Sequence, residues 1–146
     1  NVNNLILKKF KKNEEIDLLS IDIGVHTYDV LKFIDSINPR VIVTEYNAKY
    51  GPIIEWQCEN NENSSWDGSD YFGASLKSFE IMLNEKNFKL VGCNITGSNA
   101  FFVRSDLINN NFINEFSSEK HYMPTRYHLI KYYEPQLKQK IQFKDN

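Results

Sequence analysis

The chain is short of the residues from which cofactor and metal sites are usually built. None of its six glycines forms a Gly-x-Gly pair, so this sequence makes no dinucleotide-type phosphate or adenosine loop. A Gly-x-Ser-x-Gly nucleophile elbow is also missing, as is any Cys/His metal set. The two cysteines, Cys58 and Cys93, match no zinc or redox spacing and read as free thiols in a reducing compartment. No apolar run approaches the ~18 residues of a membrane span, and the start lacks a signal peptide's hydrophobic region. The expectation is therefore a cytoplasmic protein with no membrane partner. With a formal net charge of -2 and no dense basic run, there is no electrostatic footprint for nucleic acid. Lys8, Lys9, Lys11 and Lys12 cluster locally and read as a solvated helix face.

Against these absences, the composition is that of one globular domain. The chain has 146 residues, 41% of them hydrophobic and 25% charged, and folding at this size buries roughly 70% of the unfolded surface. Aromatic residues, at 14%, are plentiful.

Organisation follows from the patterning. Residues 4–12 alternate apolar and basic positions and fit strand or helix equally. "IDLLSIDI" (16–23) is a nearly continuous apolar run, the mark of a strand covered on both faces. Thr27 is placed to cap a helix from Tyr28 to about Ile37, ended by Asn38-Pro39. "RVIVTEY" (40–46) reads as a second buried strand, completing a βαβ unit with parallel strands. Residues 47–72 form a long loop, and loops of this length are usually functional. Helix is expected again over about 73–87, with Leu76, Phe79, Met82 and Leu83 inward. "FKLVGC" and "NAFFVR" flank the turn "NITGS" as an antiparallel hairpin. Ser105 is placed to cap a helix through about Phe116, and a surface-wrapping tail completes the chain. The expected division is an amino-terminal segment (1–15), an α/β domain (16–116) and a tail (117–146). The fold class is α/β: parallel strands flanked by helices, ending in an antiparallel hairpin.

The chemistry concentrates at the carboxyl ends of the two buried strands. Asp22 and Glu45 occupy matching positions, and adjacent strands lie about 4.8 Å apart, so both carboxylates reach one rim. Two acids there can bind a cation, hold a hydroxyl or act as a base. His26, in the turn that follows, is a second proton acceptor near neutral pH. Asp22 and His26 are the candidate catalytic residues. Glu45, Asn47 and Tyr71 are candidate substrate contacts, and no residue set suggests a metal.

Three segments in order, "DLLSIDI…YDVLKFI…NPRVIVTEYNAKYGP", "WDGSDYFGASL" and "FKLVGCNITGSNAFFVR", resemble the carboxyl-terminal half of FkbM-type, S-adenosylmethionine-dependent methyltransferases, over roughly residues 16–107. The resemblance implies a partial Rossmann-like, class I methyltransferase sheet with these as its fourth to seventh strands. It also implies S-adenosylmethionine as cofactor and a sugar or lipid-linked hydroxyl as acceptor. The chain departs from the family in two places. The first three strands, with the glycine-rich donor loop, have no counterpart, so the isolated chain is expected to be incomplete or inactive. The related sequences run Asp-Ile-Asp-Gly-Asn-Asp-Tyr where this chain reads Asp22-Ile23-Gly24-Val25-His26-Thr27-Tyr28.

In the proposed sheet "LLSIDI" is an edge, an arrangement proteins usually avoid. Residues 1–12, a second copy of the chain or a missing amino-terminal half would cover it. The competing readings are a non-catalytic remnant or partner subunit that binds protein through this edge, and a glycan-binding module built on Trp56 or Trp66.

Overall fold

The computed structural model describes residues 1–59 and 64–126. The elements are α1 (Val2–Ile6), β1 (Glu14–Ile21), α2 (Thr27–Phe33), β2 (Ile37–Glu45), α3 (Leu76–Glu85), β3 (Phe88–Cys93), β4 (Asn99–Arg104) and α4 (Ser118–His121), with short 3-10 turns at Gly24–His26 and Ser105–Leu107. The architecture is mixed α/β around one open four-stranded sheet of order β1-β2-β4-β3. β1 and β2 are parallel, and β4 runs antiparallel to both β2 and β3. The hairpin expected from "FKLVGC" and "NAFFVR" is present with those strand limits, and a bulge between Leu90 and Gly92 shifts its register.

Side-chain alternation gives the sheet two unlike faces. Ile21, Ile42, Thr44, Ala100, Phe102 and Leu90 share one face by register and are buried. They belong to the same core as Leu31 of α2 and Leu76, Phe79, Met82 and Leu83 of α3, the four inward positions expected of that helix. Each such side chain, fully buried, contributes about 1.5–3 kcal/mol. Ser75 caps α3 by accepting from the Ser78 amide. On the opposite face Leu18 lies beside Val41, which pairs with Val103, and Val43 pairs with Phe101. There Leu18 is 56% exposed, Phe101 is exposed, and Val41 and Val43 are half-buried.

Four local expectations change. Among the described residues β1 is not covered on both faces: it pairs only with β2, and only Ile21 of its residues is buried. α2 ends at Phe33 instead of Ile37, and Asn38-Pro39 lies inside β2. Proline forces the preceding residue into extended backbone, and Pro39 sits where β2 has β1 but not β4 beside it, so its missing N–H costs little. Thr27 does not cap α2; its Oγ1 accepts from the Ile23 amide at 3.0 Å and closes the preceding turn. No helix forms over 105–116 beyond the Ser105–Leu107 turn. There the Ser105 amide and hydroxyl both donate to the Asn87 carbonyl, and Asn109 folds back onto the Asn111 amide. Both serine and asparagine spend their polar groups against helix continuation.

The two flanks of the expected domain pack on the same core. Asn1 caps α1, whose Val2 and Ile6 join the core beside α2, and β1 still has β2 as its one strand neighbour. Residues 117–126 run back over the carboxyl ends of the strands; the rest of the expected tail, and residues 60–63 of the long loop, lie outside the described residues. Among the described residues no helix is long and apolar enough to cross a membrane.

Candidate functional site

The parallel register that pairs Ile21 with Thr44 brings the next residues, Asp22 and Glu45, to the same rim. The two carboxyl groups lie close enough for Asp22 to act directly on Glu45. Asp22 is exposed and Glu45 half-buried. Burial, then the charge of Asp22 and then its hydrogen bond, raise Glu45 from 4.5 to about 7. A carboxyl group with that value is half ionised near neutral pH, which suits proton transfer.

A cleft of about 180 Å³ opens over the pair, lined by Asp22, Gly24, Glu45, Trp66 and Phe72. A second, of about 210 Å³, shares Glu45, Trp66 and Phe72 and extends toward Lys49, Ser98 and Thr125. The acids thus stand where one groove narrows between an aromatic wall and the hairpin turn. Trp66 is 56% exposed at its mouth, edge-on to Phe72 with ring centroids 6.4 Å apart. The indole N–H donates to the Ser69 carbonyl at 2.8 Å, which holds the ring while leaving its apolar surface open to the groove.

Local backbone chemistry builds this wall. Asp67 accepts from the Ser69 amide in an Asx turn, Gly68 supplies a φ of +85°, and Gly73 a φ of +58°. Any Cβ on Gly73 would stand 3.7 Å from the Gly24 carbonyl, so the end of the loop lies directly against the turn that follows Asp22.

The other expected site residues take separate positions. Asn47 is buried and lines the larger cleft, but its side chain is occupied: Nδ2 donates to the Asp70 and Phe72 carbonyls, and Oδ1 accepts from the Lys49 amide. It fastens the aromatic loop to the end of β2. The buried Asp70 carboxylate in turn lies 3.4 Å from Lys49 Nζ. The His26 imidazole is 2.9 Å from the Ser64 carbonyl and is not among the groove's lining residues. Tyr71 belongs to an aromatic stack away from the acids: Trp56 packs edge-on against it and stacks on Tyr50, with centroids at 4.0 Å. Its hydroxyl accepts from the Glu59 amide. Asp22 and Glu45 therefore share one cleft, Asn47 borders the adjoining one, and His26 and Tyr71 stand apart.

Two groove features were not among the expected catalytic or substrate-contact residues, although the glycan-binding alternative rests in part on Trp66. Trp66 and Phe72 form the wall, and the signal for them was the glycine-flanked aromatic run "WDGSDYFG". The far side is closed by the tail. Tyr46 donates to the Met123 carbonyl and Tyr122 to the Ala48 carbonyl, both at 2.6 Å, and the Arg126 amide donates to the Thr96 carbonyl. Burial raises the Tyr46 phenol and pushes the Cys93 thiol beside it up to about 11, so both stay neutral and serve as packing. Asn94 accepts from the Ser98 and Asn99 amides, a turn-forming role. Among the described residues no group of three acid, histidine or cysteine side chains could hold a metal ion.

Comparisons with protein-family models, with curated proteins and with solved structures each return no match.

Proposed function

We propose that this chain is the acceptor-side part of a class I, S-adenosylmethionine-dependent methyltransferase sheet, handling the proton of a sugar or lipid-linked hydroxyl. The observation that carries the reading is the Asp22–Glu45 acid pair beneath Trp66 and Phe72, at the carboxyl ends of two parallel strands. In open α/β sheets ligands bind outside such strand ends. The order β1-β2-β4-β3, with an antiparallel strand between the second and the last, supports the same assignment, because a Rossmann-like methyltransferase sheet closes this way at its far edge.

S-adenosylmethionine, when bound to a methyltransferase, supplies an electrophilic methyl carbon. The described residues of this chain do not fit that group. Gly24 is the single glycine of the acid cleft and nothing lies within 4 Å of where its Cβ would be, so no main-chain cradle is built there. Donor binding falls to strands placed beyond β1. What this chain contributes is a base and a surface: ionised Glu45 accepts the hydroxyl proton, the charge of Asp22 raises the proton affinity of that carboxylate, and Trp66 offers a flat apolar face to the acceptor.

Calorimetric titration with S-adenosylmethionine tests the proposal. The chain alone is expected to give no heat, and saturable heat is expected once a polypeptide carrying a glycine-rich donor loop is added. In that mixture Glu45→Gln should abolish methyl transfer and leave donor binding unchanged. Absence of donor binding in the mixture overturns the enzyme reading.

A second reading is favoured by one feature, the open β1 edge with Leu18 exposed beside it: a non-catalytic subunit that joins a partner by strand addition. That role predicts protein binding that survives Glu45→Gln.

A further inference from the structure

The first twelve residues divide their apolar side chains in an unusual way. Val2 and Ile6, four apart on one side of α1, pack on the core. Helical backbone bonds continue past α1, from the Leu7 amide to the Asn3 carbonyl and from the Phe10 amide to the Ile6 carbonyl, so Leu7 and Phe10 fall three apart on another flank. Leu5, Leu7 and Phe10 are 63%, 42% and 41% exposed. Interleaved with them, Lys8, Lys9, Lys11 and Lys12 are all exposed. Among the described residues none of the four enters an ion pair. The nearest acids in sequence are already engaged: Glu14 accepts from the Lys11 amide at 2.7 Å, and Glu15 pairs with Arg104. Four positive charges within five residues thus stand on a chain whose net charge is -2. At physiological ionic strength fields fade within about 8 Å, so a surface touching this patch meets its local charge and not the chain's total.

We propose that residues 7–12 form a docking surface for an anionic lipid bilayer, with Leu7 and Phe10 entering the interfacial region and the interleaved lysines set against lipid headgroups. Lysine stems lie along apolar surface while their ammonium groups reach outward to charge, and basic residues alternating with large apolar ones are the pattern of interfacial segments. A nucleic acid would satisfy the lysines but leave Leu7 and Phe10 against a charged backbone, so the exposed apolar side chains favour lipid. Contact of this kind needs no spanning helix. It would place the groove of Asp22 and Glu45 on a protein held near a membrane surface.

Co-sedimentation of the full chain with vesicles tests this. Vesicles of phosphatidylcholine with about one-third phosphatidylserine should pellet the chain, pure phosphatidylcholine should not, and added salt should weaken the binding. Each Lys→Gln change should lower the partition coefficient about fivefold. The double variant Leu7→Ser/Phe10→Ser keeps every charge and should lower it at least tenfold, with circular dichroism confirming that the fold is retained. Equal binding to both vesicle types, or no binding, would overturn the proposal. Undiminished binding of the Leu7→Ser/Phe10→Ser variant, or tighter binding to an oligonucleotide than to the anionic vesicles, would also overturn it and mark a general polyanion site.

Discussion

Around the hairpin turn at residues 94–98, segments far apart in the chain hydrogen-bond to one another, whereas along β1, among the described residues, the chain meets a single neighbouring strand. Tyr46, at the end of β2, donates to Met123; Arg126 donates to Thr96; Tyr122 donates to Ala48; and Asn47 ties the loop at Asp70 and Phe72 to the same place. On the other side, among the described residues, β1 carries an unpaired edge and an exposed Leu18, and α1 leans on α2 without pairing to that edge. Polar cross-links that lock backbone into place gather at the rim that carries the perturbed acid. Order there is what an acid pair needs to keep its geometry, while an edge left open is what pairing with further strands needs.

This contrast can be broken at the rim. Gly97 has a φ of +71°, and any Cβ there would overlap the Pro124 carbonyl. Gly97→Ala must therefore either expel residues 123–126 or strain the turn, at a cost of about 3 kcal/mol or more. Urea denaturation measures this, and the Trp66 environment should change with it. A loss below about 1 kcal/mol would mean that the tail does not hold the rim.

The acid pair sharpens the contrast through pH. Glu45 is raised in the folded chain to about 7, so its protonated form favours folding. That contribution is complete below about pH 4.5 and is lost as the pH rises through about 7. Allowing for the partial exposure of the group, it amounts to roughly 1–2 kcal/mol. Glu45→Gln cannot ionise and should flatten this part of the stability curve between pH 5 and 8. Parallel curves for the two proteins would place the pH dependence elsewhere.

The smallest effect belongs to the bare side. Leu18→Ser removes little buried surface, so stability should move by less than about 0.5 kcal/mol, while self-association at high concentration, followed by light scattering, should fall. A loss near 2 kcal/mol would show that Leu18 is covered in solution.

The strands of the hairpin, the inward face of α3 and the meeting of Asp22 with Glu45 were legible because each depends on local periodicity or on register between adjacent parallel strands. α2 was read too long because the run Leu31, Ile34, Ile37 fits a helical stripe; the competing extended preference imposed on Asn38 by Pro39 won. The helix expected after Ser105 failed for a related reason, since serine and asparagine side chains satisfied backbone groups locally. Asn47 looked like a polar rim residue, and only the return of the loop at residues 70–72 reveals that its amide is fully used.

By itself the sequence determined the strand-helix-strand order, the two acids on matching strand ends and the absence of a glycine-rich loop, because these are properties of neighbouring residues and of a period. Tertiary structure alone decided that Trp66 and Phe72 wall the acids, that His26 and Tyr71 stand elsewhere, and that, among the described residues, one sheet edge stays unpaired. Those outcomes depend on contacts between residues tens of positions apart, where chain entropy sets no preference and packing makes the choice.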